Sequence, residues 1–201
     1  QSNAAKIYDV DSLLRVNRGS YSNYIRGLEV DCTGLIIPQI KNLADAKEIE
    51  EFTKFPPIGK RGVDGGNNDG KYTKLDMAEY IKQANQERLV IYQIETPEVI
   101  NDVEAIAEME GVDALFFGPG DYSLSLGVPG QMDHPDVVSA RKTYSPSLSE
   151  QELRYNMMLT SQPSKETEQN NSNKYLESII IQMQELRKEE SKRFTVYLTV
   201  S

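Results

Sequence analysis

Glu95 and Asp121 are the residues whose types and spacing best suit chemistry, because each closes a short apolar run. Leu89-Val90-Ile91-Tyr92 leads into Gln93-Ile94-Glu95, and Ala114-Leu115-Phe116-Phe117 leads into Gly118-Pro119-Gly120-Asp121. Between them, residues 99–109 carry helical spacing. Apolar run, polar tip, helix, apolar run, polar tip is the pattern of consecutive βα units in a parallel sheet. Such sheets collect ligands at the C-terminal ends of their strands. Two carboxylates meeting there could hold a divalent cation; taken singly, each could equally be a strand-end residue capping the next helix.

The elements that must position them can be read around this pair. Four apolar runs fit buried parallel strands, at 13–16, 34–37, 89–94 and 114–117. Helical spacing over 22–30, 43–53, 75–86 and 99–109 separates them. Thr96 before Pro97 fits a helix entry, with Thr96 as cap and Pro97 in the first turn. Strand tips recur at Pro38, Glu95 and Asp121. The last two are spaced close to the roughly 30 residues of one (β/α)8-barrel unit. The Pro/Gly-rich stretch 55–66 must be a loop. A loop that long beside strand tips is expected to serve function, although Arg61 within it reads first as structural.

The chain has 201 residues, enough to bury a core in one or two domains. Its 22 Lys and Arg against 31 acidic residues give a formal charge of -9, which argues against nucleic acid and anionic membrane as partners. No apolar run reaches the roughly 20 residues of a membrane helix. One cysteine, Cys32, cannot form an internal disulfide, which favours a reducing cytoplasm and a packing role for its thiol. Gln1-Ser2-Asn3-Ala4 reads as a cloning scar.

Residues 5–142 are expected to form the βα region and 143–201 an unassigned C-terminal segment of linker, helix and strand. Within that segment, 145–159 could be a short helix, and 161–174 is polar enough for a linker. Residues 175–190 fit a helix with an apolar stripe through Leu176, Ile179, Ile180, Met183 and Leu186. That stripe suits core or a subunit contact. Phe194, Val196, Leu198 and Val200 alternate with polar residues as in a half-buried strand.

With the strand tips assigned, residues 14–142 resemble the HpcH/HpaI aldolase/citrate lyase family. The likeness rests on an ordered set: Arg15-Val16-Asn17, Leu35-Ile36-Ile37-Pro38, Phe55-Pro56-Pro57-Ile58-Gly59-Lys60-Arg61-Gly62-Val63, Gln93-Ile94-Glu95-Thr96, and Glu110 through Ser123 around Phe117-Gly118-Pro119-Gly120-Asp121. Ser125-Leu126-Gly127 and His134-Pro135 continue it. The resemblance implies an α/β fold of the (β/α)8 TIM-barrel type, here incomplete or divergent with about four recognisable βα units. It implies Mg2+ or Mn2+ as cofactor and a carbon–carbon bond made or broken next to a pyruvate-like enolate, with a 2-oxo acid and an aldehyde as small-molecule partners. By motif, Glu95 and Asp121 would be the metal ligands and Arg15 the catalytic charge on the enolate oxygen. Gln93 would help hold the 2-oxo acid, and the backbone around Gly118, Pro119 and Gly120 would receive its carboxylate. The residue types agree, since a hard cation favours one or two carboxylates with positions left for water and substrate oxygens.

The family's histidine base belongs on an early strand, upstream of everything matched here. The single histidine, His134, falls in the later His-Pro position, where a helix entry is the simpler reading. The leading expectation is therefore a metal-dependent aldolase or lyase. The alternatives are an inactive 2-oxo acid or metal-binding module, or an assembly subunit, since half a barrel leaves open edges that a homo-oligomer could cover.

Overall fold

The computed structural model describes residues 2–8, 11–144 and 196–199. A short helix α1 (Ser2–Ile7) precedes β1 (Leu13–Arg15), α2 (Tyr21–Glu29), β2 (Gly34–Ile37) and α3 (Leu43–Thr53). A long connection carrying one 3-10 turn (Lys71–Thr73) leads to α4 (Met77–Glu87) and β3 (Leu89–Ile94). A second 3-10 turn (Pro97–Asp102) runs into α5 (Val103–Ala107), followed by β4 (Ala114–Phe117), α6 (Pro119–Ser125), α7 (Pro135–Tyr144) and β5 (Val196–Thr199). All five strands pair in parallel in the order β1-β2-β3-β4-β5. The arrangement is α/β, as expected. The strand anticipated in the C-terminal segment is present as β5 beside β4. The helices and linker expected over 145–190 lie outside the described residues.

Alternation along the strands separates two faces. Leu35, Ile37, Val90, Tyr92, Ile94, Leu115 and Phe117 turn toward the helices and join the main core with Leu28, Ile49, Val103 and Ile106. Leu13, Ile36, Leu89, Ile91, Ala114 and Phe116 form a second cluster on the opposite face. The register aligns Leu13, Gly34 and Leu89 in one row, and Arg15, Ile36, Ile91 and Ala114 in the next. Parity then puts Arg15 and Gln93 on the face of the second cluster, Arg15 in register with Ile36 and Gln93 with Phe116.

Two helix starts differ from the periodicity. α4 begins at Met77 because the Asp76 carboxylate accepts from the N–H groups of Ala78 and Glu79, at 3.0 and 3.1 Å. The helix expected over 99–109 divides into a 3-10 turn and a short α-helix. Thr96 makes no cap bond there; its hydroxyl donates instead to the Ile40 carbonyl at 3.3 Å, tying the segment to the β2 tip.

The loop after α3 does not lie beside the strand tips that carry the carboxylates. α3 returns the chain to the other end of the sheet before the loop begins, and Asp69 and Lys71 of the loop are bonded there. Asp69 N–H donates to the Glu29 carbonyl at the end of α2, and Lys71 Nζ lies 2.6 Å from Asp31, just before β2. Asp31 is buried and also pairs with Lys6 and Arg88. Lys54 reaches the Arg88 carbonyl at 2.8 Å and Asp113 at 3.2 Å, ahead of β3 and β4 respectively. Arg61 is structural: it is buried, pairs with Asp69 at 2.7 Å and lies over the Phe55 ring.

Candidate metal and 2-oxo acid site

β1 ends on Arg15 and β3 ends one residue short of Glu95. Those ends put Arg15, Gln93 and Glu95 in one cluster. Arg15 Nε donates to Gln93 Oε1 at 2.7 Å, and its Nη2 stands 3.7 Å from Glu95 Oε1. Arginine can only donate, so this bond fixes which Gln93 atom faces it. Gln93 is buried, and its carbonyl oxygen is committed to steering the guanidinium.

Glu95 is held on several sides, with its side chain 2 % exposed. The Gln39 main-chain N–H donates to Oε2 at 2.9 Å. Ser125 Oγ donates to the Glu95 carbonyl at 3.4 Å. Gly118 supplies a flat wall: a Cβ there would stand 2.8 Å from Glu95 Cγ. Gly118 is therefore needed for close approach.

Asp121 sits in the first turn of α6 rather than on a strand tip, because Pro119 opens the helix directly after Gly118. It still meets Glu95. Burial pushes the Glu95 pKa up, the Gln39 N–H opposes that, and the neighbouring Asp121 raises it further by its charge and by a side-chain hydrogen bond. A buried carboxylate whose ionised form is disfavoured, with a second acidic side chain beside it, suits a divalent cation. Among the described residues no cluster of three or more His, Cys, Asp and Glu forms. A two-carboxylate set fits an ion that keeps water and substrate oxygens as its remaining ligands.

The backbone expected to receive a carboxylate is narrower than the sequence suggested. Pro119 has no N–H, and the Gly118 N–H already donates to the Ile94 carbonyl at 3.0 Å. Gly120 and Asp121 are the first-turn positions that still offer N–H groups. Met132 lies over Gly120, its methyl 3.7 Å from where a Cβ would be. His134 is a helix-entry residue: its Nδ1 accepts the Asp136 N–H at 3.3 Å, at the start of α7. Cys32 is buried, and burial pushes its thiol up to about 11, which fits packing. Sequence reasoning missed Gln39, whose contribution comes from its main chain; the only signal was the β2 tip at Pro38.

Comparison with known proteins bears on the family and the fold. The profile described as HpcH/HpaI aldolase/citrate lyase matches residues 1–169. A pyruvate aldolase of Rhizobium etli is 36% identical over 140 residues, covering 70% of this chain and 54% of its own. A 2-keto-3-deoxy-L-rhamnonate aldolase of Klebsiella pneumoniae is 32% identical over 138 residues, covering 68% and 51%. The chain thus spans about half the length of these curated relatives. The crystal structure of an HpcH/HpaI aldolase from Desulfitobacterium hafniense superposes with TM-score 0.66 at 23% identity, over 98% of this chain and 69% of that one. A Burkholderia cenocepacia family protein gives 0.65 at 24% identity, over 98% and 70%. At that identity the likeness speaks for the TIM-barrel-like fold.

Proposed function

We propose, on the premise that this chain belongs to the HpcH/HpaI aldolase/citrate lyase family, that it acts as a carbon–carbon lyase on a pyruvate-type 2-oxo acid and an aldehyde. The observation that carries this reading is the buried Glu95 carboxylate with Asp121 beside it and Arg15 Nη2 3.7 Å from its Oε1. Glu95 and Asp121 would hold Mg2+ or Mn2+, which when bound polarises the substrate carbonyl as a Lewis acid. Arg15 places a permanent, planar positive charge where the enolate oxygen develops. Gln93 keeps that guanidinium from folding onto Glu95 by holding Nε at 2.7 Å. The first-turn N–H groups of Gly120 and Asp121 offer the carboxylate of the 2-oxo acid its donors.

The activity is assigned to a reducing cytoplasm, in keeping with the single buried thiol. No helix among the described residues is long and apolar enough to cross a membrane. We take copies of the chain to assemble as a homo-oligomer; β1, an edge strand among the described residues, carries the exposed Leu14.

The test is Mn2+-dependent hydrogen exchange at the pyruvate methyl group, followed by NMR, together with oxaloacetate decarboxylation. Both are expected to need added Mn2+ and to disappear in Glu95→Gln and Asp121→Asn. Rates unchanged in both variants would remove this site from the reaction.

A further inference from the structure

We infer that Gln39 is the positioning residue of the Glu95 carboxylate, dedicating one oxygen to the protein and offering the other, Oε1, to a cation. The inference rests on the proposed reading of Glu95 as a metal ligand and adds how that ligand is aimed and which ions it suits.

Gln39 adopts a φ of 54°, in the left-handed region that non-glycine residues seldom enter. Strain of this kind persists only where the surroundings over-determine it, and it concentrates at working sites. The surroundings here do so. Pro38 before it is buried and its ring fixes φ. Ile40 after it is fully buried, donates its N–H to the Gln93 carbonyl at 3.3 Å and accepts the Thr96 hydroxyl. Pinned on both sides, the chain turns left-handed at Gln39, and that turn directs the N–H onto Glu95 Oε2 at 2.9 Å. The Gln39 residue itself is exposed at the β2 tip, so packing of its side chain does not account for the conformation.

The two oxygens of Glu95 are thereby unequal. Oε2 accepts a main-chain hydrogen bond. Oε1 faces Arg15 Nη2 at 3.7 Å, beyond hydrogen-bonding distance, because Gln93 holds the guanidinium by its Nε. Gly118 closes the other side of the side chain and stops it from swinging. A carboxylate with one oxygen reserved binds through the other. Small octahedral ions such as Mg2+ accept that mode, whereas Ca2+ takes more oxygens and often both from one carboxylate. The Gln39 N–H therefore sets a preference for small divalent ions.

The test replaces Gln39 in the full chain by its α-hydroxy acid, which turns the amide into an ester, deletes the N–H and keeps the side chain. Calorimetry then gives Mn2+ and Ca2+ affinities beside a thermal midpoint. Loss of an outer partner of a metal ligand costs about ten- to a hundred-fold in affinity, so the Mn2+ Kd is expected to rise by that factor and the Mn2+-over-Ca2+ preference to narrow. A purely structural role would lower the thermal midpoint and leave that ratio unmoved. Should the ester fail to fold, Gln39→Gly and Gln39→Val replace it. Glycine keeps the left-handed turn and wild-type affinity, and valine disfavours the turn and weakens Mn2+ selectively. An ester, or a valine variant, that binds both ions as the wild type does overturns the inference. The reading of the site survives that result if Glu95→Gln still abolishes Mn2+ binding, and falls with it if Glu95→Gln binds normally.

Discussion

Glu95 carries a cost that the proposed metal ligation would offset. Burial opposes its ionised form first, and the charge of Asp121 adds to that, so its pKa stands above the ordinary 4.5. A folded pKa above the unfolded one means that the native state binds the extra proton. Stability therefore falls as pH rises from 4.5 through the folded value. Glu95→Gln removes the buried charge and keeps the shape. The metal-free variant is expected to melt higher than metal-free wild type at neutral pH, to lose that advantage in acid, and to bind no Mn2+. Scanning calorimetry across pH with and without Mn2+ checks all three, and a neutral-pH midpoint below wild type would contradict the sign. At this scale Glu95 and Asp121 could be picked out from the sequence because they follow apolar runs that differ from them in kind, and Arg15 and Gln93 through the family resemblance. Gln39 could not. It gives an N–H that every residue but proline owns, and only the fold reveals where that N–H points.

The strands β2, β3 and β4 could be placed to the residue because they are buried on both faces and read as near-continuous apolar runs, broken only by Gln93 in β3 and opened by Gly34 in β2. Helix starts were less legible. Where Asp76 caps, the helix begins at Met77; where the Thr96 hydroxyl is diverted to Ile40, the helix opens as 3-10. Such choices depend on tertiary partners that local spacing does not encode. The loop after α3 was legible as a loop but was placed at the wrong end of the sheet, since composition says nothing of which way the preceding helix runs. The β4–α6 junction has its own test. Gly118→Ala puts a methyl 2.8 Å from Glu95 Cγ, so the carboxylate must move. Overpacking of this kind costs about 1–3 kcal/mol. The expected result is a modest fall in denaturant midpoint with Mn2+ binding severely weakened. Unchanged Mn2+ affinity would show that Glu95 is not held by this wall.

Across the described residues, the proposed chemistry and a network of ion pairs occupy opposite ends of one parallel sheet. Arg15, Gln93 and Glu95 stand at the C-terminal ends of the strands, while Asp31, Lys54, Arg88 and Asp113 stand before β2, β3 and β4. Lys54→Met breaks a part-buried ion pair from one side, which is expected to cost less than the roughly 3 kcal/mol of a fully buried one. Urea unfolding is expected to show that loss, while Mn2+ titration of the folded variant gives the wild-type affinity. A large change in Mn2+ affinity would mean that the two ends communicate.

The split also bears on descent. A lineage could rewrite the ionic clasp beneath the strands, drifting toward hotter or colder habitats, while the rim of the proposed site keeps its settings. Conversely, new acceptors could be recruited at the rim without reopening the foundations.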